Sequence, residues 1–487
     1  MNKSISYLGV ILCSTICYSQ TDTISDFEKE FQKSSADLNK DFDDFEKKNN
    51  KEYADFLKKN WDEFQIEKPI LKPLDKKPLT PPIFNKKNND SISNKVVVGF
   101  KDTTALKLIE QKDTVSEVKI PLQTNDIVHF NGNILTVNFY NQPLSFRIDN
   151  ISKVFCNDAT ELSVSNFWKE ISSSNYRPYL VDILNYKNKF ILNDWALYQL
   201  VKVLSEHVFK SYNSQIAFQF FTLSQLGYDV RVARSNESLV LLLNIQNQVY
   251  ETSTLSIESK KYYIMSPFKS KSVYTFRDGF KNDSKAIDLN IQQDIELFKN
   301  IKSREILIED KKLNINLDYS PEMVDFYSQM PLTDFSVFFN AKTSSVTKYS
   351  IEKNLLPLIK DKSELEAVSF LLNFVQKGFE YKTDRDQFGK EKYFFVEEIL
   401  NYPFSDCEDR SVFFSRLVKD LLGLKVVGIL YKDHIATAVK FNTEVYGDKI
   451  LVDGEPYVVC DPTYIGAFVG MTMPQYEGVS PKIIKVN

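Results

Sequence analysis

Apolar positions recur along this chain with two periods, and the places where one period gives way to the other divide it. From residue 21 to 67 a strongly charged stretch carries Phe27, Phe31, Leu38, Phe42, Phe45, Tyr53, Leu57, Trp61 and Phe64. Spacings of three, four, seven and eight put most of these on one side of a helix. They predict a helix or helical hairpin that packs on the body of the protein, or else an arm for envelope partners. Over 68–94 the composition shifts, and Pro69, Pro73, Pro78, Pro81 and Pro82 exclude a packed helix and predict an extended linker. Between 95 and 159 the period shortens to two. The runs KVVVGF, SEVKIPL, DIVHF, GNILTVNFY and LSFRI predict a small antiparallel β domain, with His129 a structural strand residue and Cys156 a small buried hydrophobe.

Helical spacing returns in NDWALYQLVKVLSEHVFKSY and SQIAFQFFTLSQLG, followed by the strand-like runs VRVAR, LVLLLNI, QVYE and YYIM. A β-rich connecting region spans 271–345, with KKLNINLDY and FSVFFNA as strands. From Lys353 through LEAVSFLLNFVQKGFEY the pattern is helical again and opens a final domain, 346–487. Within it, Val412, Phe413, Leu417, Leu421 and Leu422 predict a helix that starts at Ser405 or Asp406 and stops at Gly423. Two strands, KVVGILY and IATAVKF, then meet around Lys432, Asp433 and His434. A hairpin follows in KILVDGEPYVVCDPTY, with Asp453 and Gly454 at its turn. The fold class is α+β.

The middle region, 160–270, repeats this order. Gly227 closes FFTLSQLGYDVRVA as Gly423 closes FFSRLVKDLLGLKVVG. A spacing of 11 beyond each glycine pairs His434 with Ser238, spacings of 27 and 28 from there pair Asp461 with Ser266, and the counterpart of Cys407 falls near Ser214 after a deletion of about one helical turn. The expectation is a second copy of the final domain that has lost its base.

Composition narrows the setting. A length of 487 residues allows two or three domains, and a net charge of −4 gives no reason to expect nucleic acid. Residues 1–20 carry Lys3, an apolar run from Tyr7 to Cys17 and then small polar residues. That is the anatomy of a signal peptide, too short to cross a bilayer, and it predicts export to the periplasm, the cell surface or the medium. A lipid anchor at Cys13 or Cys17 is disfavoured by the bulk of Leu12 and Ile16 before them. No later run has membrane-spanning length. Removal of the signal leaves Cys156, Cys407 and Cys460, an odd number that argues for a free thiol rather than a disulfide framework.

Three residues of the final domain suit the roles that thiol chemistry demands. Cys407, in SDCEDRS, falls in the first turn of its helix, where unpaired N–H groups and the dipole favour a thiolate. Asp406, Glu408 and Asp409 oppose it, Arg410 answers part of their charge, and a neighbouring imidazolium answers more. His434, at the start of a strand, is placed as the base. Asp461, before Pro462, is placed to orient the imidazole, while Cys460 points to the other side of that strand.

The ordered set of helix-borne Cys407 followed by Gly423-Leu424, strand-borne His434 and Asp461-Pro462-Thr463 resembles the transglutaminase-like superfamily, over about 365–475. The resemblance implies a papain-like fold. It makes Cys407 the nucleophile, His434 the general base and acid, and Asp461 the orienting carboxylate, acting on an amide of a peptide or protein. His434-Ile435-Ala436 lacks the aromatic frequent in the family, which bears on substrate identity. An oxyanion hole is expected from the backbone N–H of Cys407, with Gln387 or Tyr402 as second donor. No metal or organic cofactor is implied. A noncatalytic envelope scaffold built on the same folds is the alternative.

Overall fold

The structure is a computed structural model that describes residues 43–72, 80–84, 95–99, 129–131, 133–266, 268–280, 284–297 and 299–486. The signal-like segment, Cys13, Cys17 and the first part of the charged helix lie outside the described residues. The chain is 39% helical and 25% strand in small, mostly antiparallel sheets, which agrees with the α+β expectation. Among the described residues no helix is long and apolar enough to cross a membrane.

Two six-stranded sheets organise the chain. Across the first the order is Asp62–Gln65, Ser272–Thr275, Val230–Ser235, Ser238–Asn244, Lys260–Tyr263, Thr254–Ile257. Across the second it is Lys482–Lys485, Lys425–Leu430, Ile435–Lys440, Glu455–Cys460, Lys449–Val452, Val96–Val98. Set aside the outermost strand that the N-terminal segment gives to each sheet, and both read fifth, first, second, fourth, third in chain order. In each a helix packs on the first two strands, Tyr212–Gln225 in one and Cys407–Leu422 in the other. A second helix lies against that one, Asp194–Val208 or Glu364–Gly378. A β-hairpin precedes each set, Ile134–Phe139 with Gln142–Arg147 and Lys302–Ile308 with Leu313–Tyr319.

Local chemistry sets the element ends. Gly227 and Gly423 stop the two helices with φ of 87° and 66°, a left-handed conformation that costs a glycine little. The hairpin at Asp453 and Gly454 turns with positive φ at both positions, as a two-residue turn requires. The helix Glu364–Gly378 begins at Ser363, whose hydroxyl accepts from Glu366 N–H while the Glu366 carboxylate accepts from Ser363 N–H. That capping box breaks the single helix expected from Lys353 onward into Ser345–Ile359 and Glu364–Gly378.

Several expected elements differ. FSVFFNA is a helix, Phe335–Asn340, with Phe335, Val337, Phe338 and Phe339 all buried; a short apolar run does not distinguish helix from strand until packing decides. QVYE is irregular, and its strand position is taken by Thr254–Ile257. Glu161–Ser173 and Arg177–Lys189 are helices where no element was expected. The charged helix ends at residue 57, and Phe64 lies in strand Asp62–Gln65. That helix packs on the body: Tyr53, Ala54 and Leu57 are buried, and the Tyr53 ring meets Trp168 edge-on at 4.8 Å. Finally, Val96–Val98 does not join the hairpin over 129–147. It runs parallel to Lys449–Leu451, so the expected 95–159 unit is divided between two places.

The hairpin of the first half is fastened to the second half through Glu322. Its carboxylate accepts from Asn141 Nδ2 at 3.0 Å, Asn300 Nδ2 at 2.6 Å and Asn300 N–H at 3.2 Å. Burial works against the charge, but these bonds win and hold the carboxyl down at about 2. A carboxylate with a lowered folded pKa adds stability above its ordinary value, and that contribution is lost as pH falls through the folded value. Glu322→Gln is therefore expected to melt below the wild type at pH 7. The gap is expected to close between pH 4.5 and about 2, as thermal melts across that range would read.

Candidate active site

Cys407 opens the buried helix Cys407–Leu422, with Asp406 as its N-cap. Its first intrahelical bond runs from Arg410 N–H to Asp406 O, so the N–H groups before it belong to the first turn and point out of the helix start. The Asp406 carboxylate turns to the N–H of Asp384, at 3.3 Å, and Asp409 accepts from the N–H of Asp406 and of Phe394. Two of the acids beside the thiol thus hold backbone. The third takes the thiol: the Cys407 Sγ–H donates to Glu408 Oε2 at 3.1 Å.

The two strands that follow meet in a four-residue turn. Leu430 pairs with Ile435, and the Tyr431 N–H donates to His434 O, which leaves His434 as the last turn residue before the second strand. The start of the cysteine helix sits over this point, because Ser411 Oγ–H donates to Ile435 O at 3.1 Å. Glu455–Cys460 runs antiparallel to Ile435–Lys440, and the residue after it is Asp461.

There His434 Nε2 donates to Asp461 Oδ2 at 2.8 Å. The second carboxylate oxygen accepts from the N–H groups of Thr463 and Tyr464, at 2.9 and 3.1 Å. Both Asp461 oxygens are therefore committed, and the carboxylate cannot rotate. His434 is wholly buried, and its Nδ1 has no hydrogen-bond partner among the described residues. Asp461 thus fixes the tautomer with the proton on Nε2, leaving Nδ1 as the basic nitrogen.

Four contributors to this arrangement were not legible as site residues. Tyr476, from the turn Pro474–Tyr476, stacks on the imidazole with centroids 5.4 Å apart and planes at 6°. Tyr431 also stacks on Tyr476, at 4.4 Å, and the Tyr476 hydroxyl donates to Asp433 at 2.8 Å. An aromatic thus reaches the histidine from far along the chain, where the motif lacks one nearby. Burial and the Asp433 hydrogen bond push the Tyr476 phenol up. The fourth is Gln376. Its Nε2 donates to the carbonyls of Asp461, Tyr464 and Ala467 at 3.0, 2.9 and 3.2 Å, and its Oε1 accepts from Gly466 N–H. A polar residue in line with Val368 and Leu372 on the buried side of its helix was the one available signal.

Arg410 is almost fully buried and donates to Ser405 Oγ and to the carbonyls of Gln376 and Phe379. Burial brings its guanidinium down to about 10, against the pull of Tyr381, Asp406 and Asp409. It therefore answers the acids through space while bonding to backbone. Cys460 takes the other side of its strand, in the apolar cluster with Val458 and Phe413, and burial pushes its thiol well up. Cys156 is likewise pushed up, to about 12. Both read as structural cysteines.

The proposed oxyanion donors part company. The Tyr402 ring is stacked on Phe394 at 4.9 Å and set edge-on to Phe388, with Lys392 over its face, so it is a packing residue. Gln387 sits in the short helix Asp384–Phe388, whose start is tied to Asp406, and its Oε1 is buried without a partner among the described residues. One ligand atom each from Asp406, Cys407 and Glu408 lies within 4.8 Å of the others; the same holds for Asp384, Asp406 and Asp409, and for Asp384, Glu391 and Glu408. Such oxygens suit a hard cation.

In the first sheet the turn between the corresponding strands has only two residues, since Ser235 pairs with Ser238. The start of helix Tyr212–Gln225 still sits over it: Asn213 accepts from Leu239 N–H and donates to Glu237 O. Ser214 is buried and bonded to the Cys156 backbone, Ser238 is exposed, and Ser266 lies three residues beyond Tyr263, the last paired residue of its strand, whereas Asp461 directly follows Cys460. The position that would carry a base is missing along with half the turn.

Gln376→Ala would leave three buried carbonyls without their donor. It is expected to destabilise the protein by roughly 2–4 kcal/mol in urea unfolding. Gln387→Ala, which breaks no hydrogen bond through its side-chain oxygen, is expected to cost under about 1 kcal/mol.

No known protein family pattern matches this chain, and no characterised protein sequence matches it.

Proposed function

We propose that this chain is an exported, cysteine-dependent enzyme of the transglutaminase-like kind, with a papain-like C-terminal domain acting on an amide of a peptide or protein. The observation that carries the reading is the His434 Nε2 bond to Asp461, which leaves a buried, unpartnered Nδ1 beside the helix start that bears Cys407. In the first half-reaction His434 takes the Sγ proton and the sulfur attacks the carbonyl carbon. A C–S bond forms, the C–N bond breaks, and the leaving amine takes the proton from the imidazolium. In the second, water or an amine attacks the thioester, gives its proton to His434, and returns the thiol. The Cys407 N–H is the proposed first oxyanion donor and Gln387 the second. The unit over 160–270 is proposed as a noncatalytic copy kept for packing, and residues 1–20 as the export signal.

A second reading, a noncatalytic envelope scaffold, is favoured by one observation. The thiol is bonded to a carboxylate at 3.1 Å and all three side chains are buried, a setting that opposes a resting thiolate.

Site-resolved alkylation with iodoacetamide separates the two. The enzyme reading expects Cys407 to react faster than Cys156 and Cys460, and His434→Ala to slow it by roughly a hundredfold, the lower range for loss of a positioned base. Cys407→Ala is expected to abolish turnover of any amide substrate. A Cys407 rate that His434→Ala leaves unchanged would establish the scaffold instead.

A further inference from the structure

One of the carboxylates grouped near the thiol, Glu391, is met by a cation from outside its own domain. Lys72 lies in the Pro-rich segment, in a stretch without regular structure. Its side chain is only 4% exposed and is paired with Glu391, itself 9% exposed. The ammonium also stands over the Tyr393 ring, 5.1 Å from its centre, and Tyr393 packs in the same apolar cluster as Cys407. One oxygen each of Asp384, Glu391 and Glu408 lies within 4.8 Å of the others, and Glu408 accepts the Cys407 thiol. Ammonium, three carboxylates and nucleophile therefore form one continuous group.

Burying a lysine is costly unless the charge is matched, and an extended segment is free to leave its lysines in water. Three crowded carboxylates are in turn unfavourable without a cation. The nearby cations are otherwise engaged: Lys392 is bonded to Glu398, and Arg410 gives its donors to Ser405 and two carbonyls. Arg385 approaches Glu391 only from the solvent side, at 3.9 Å.

The segment is fastened on both sides of this point: before it the Glu251 N–H donates to Ile70 O at 2.9 Å, and beyond it the chain is held again. Pro82 and Phe84 exchange backbone bonds with Ile465, the Phe84 ring sits edge-on to Tyr464, and Val96–Val98 pairs with the sheet. We propose that Asp384, Glu391 and Glu408 form a cation-recognition subsite beside Cys407 for a lysine or arginine side chain of a peptide substrate. Lys72 fills that subsite from within the chain. The substrate role rests on the acyl-transfer reading above. Displacement exchanges one cation for another, so the charge of the nest is unchanged when the segment gives way.

The test uses the full chain with Lys72→Met. Nα-acetyl-lysine methylamide is expected to raise its melting temperature, while the norleucine analogue does not and the wild type responds to neither. Adding Glu391→Gln is expected to remove the response. A Lys72→Met protein that answers to neither compound, or equally to both, would overturn the proposal. Lys72→Gln carries the same comparison should the methionine variant not fold, and failure of both to fold also overturns it, because a displaceable ligand cannot be required for folding. In a second arm, a lysine-bearing peptide chloromethyl ketone is expected to label Cys407 of the variant on the order of tenfold faster than its norleucine counterpart; equal rates overturn the substrate role. The melting arm needs no reactive thiol, so a chain that binds the lysine compound but labels with neither probe would retain the subsite and lose only the chemistry.

Discussion

The side-chain amide of Gln376 joins the helix Glu364–Gly378 to four backbone groups of the loop 461–467, and the Gln376 backbone carbonyl accepts from Arg410 of the cysteine helix. Through these bonds the loop that presents Asp461 is referenced to the same frame as Cys407. Histidine geometry then follows by contact: the fixed carboxylate holds Nε2, and Tyr476 and Tyr431 hold the plane of the ring. A buried amide suits this task because it satisfies several carbonyls without introducing charge into a site already crowded with acids.

The two sheets show how little separates a scaffold from a candidate active site. Strand order, helix placement and the left-handed glycine stop are common to both. They differ in the turn between the first two strands, four residues in one and two in the other. Extending that turn adds no core and costs little loop entropy, yet it supplies the position at which His434 faces the helix start. Chemistry carried on a short loop over a rigid sheet can be gained or lost in this way without disturbing the fold.

The N-terminal segment changes the character of both units. It gives each sheet an outer strand, antiparallel in the first and parallel in the second, which covers edges that would otherwise expose unpaired N–H and C=O groups. In passing it lodges Lys72 among the acids beside Cys407. A segment whose composition reads as a tether thus becomes a structural strap with a charged contact at the candidate site.

Much of this was present in local sequence. The helix Cys407–Leu422 with its Asp406 cap and Gly423 stop, the turn at Asp453-Gly454, and the strand ends that carry His434 and Asp461 all follow from periodicity, capping and turn chemistry, which act over a few residues. The matching order of helix, glycine and strands in the middle region was legible for the same reason. What local pattern did not settle is whatever depends on distant packing. FSVFFNA became a helix because its aromatics fill one core, and KVVVGF left its neighbours to pair with Lys449–Leu451. Tyr476 came to the histidine from a turn with no local signature, and Lys72 was buried by acids contributed from another part of the chain. The sequence by itself determined which residues can do chemistry and on which elements they ride. The tertiary structure alone decided which of them meet, because burial, ion pairing and ring stacking are summed over residues that the chain keeps far apart.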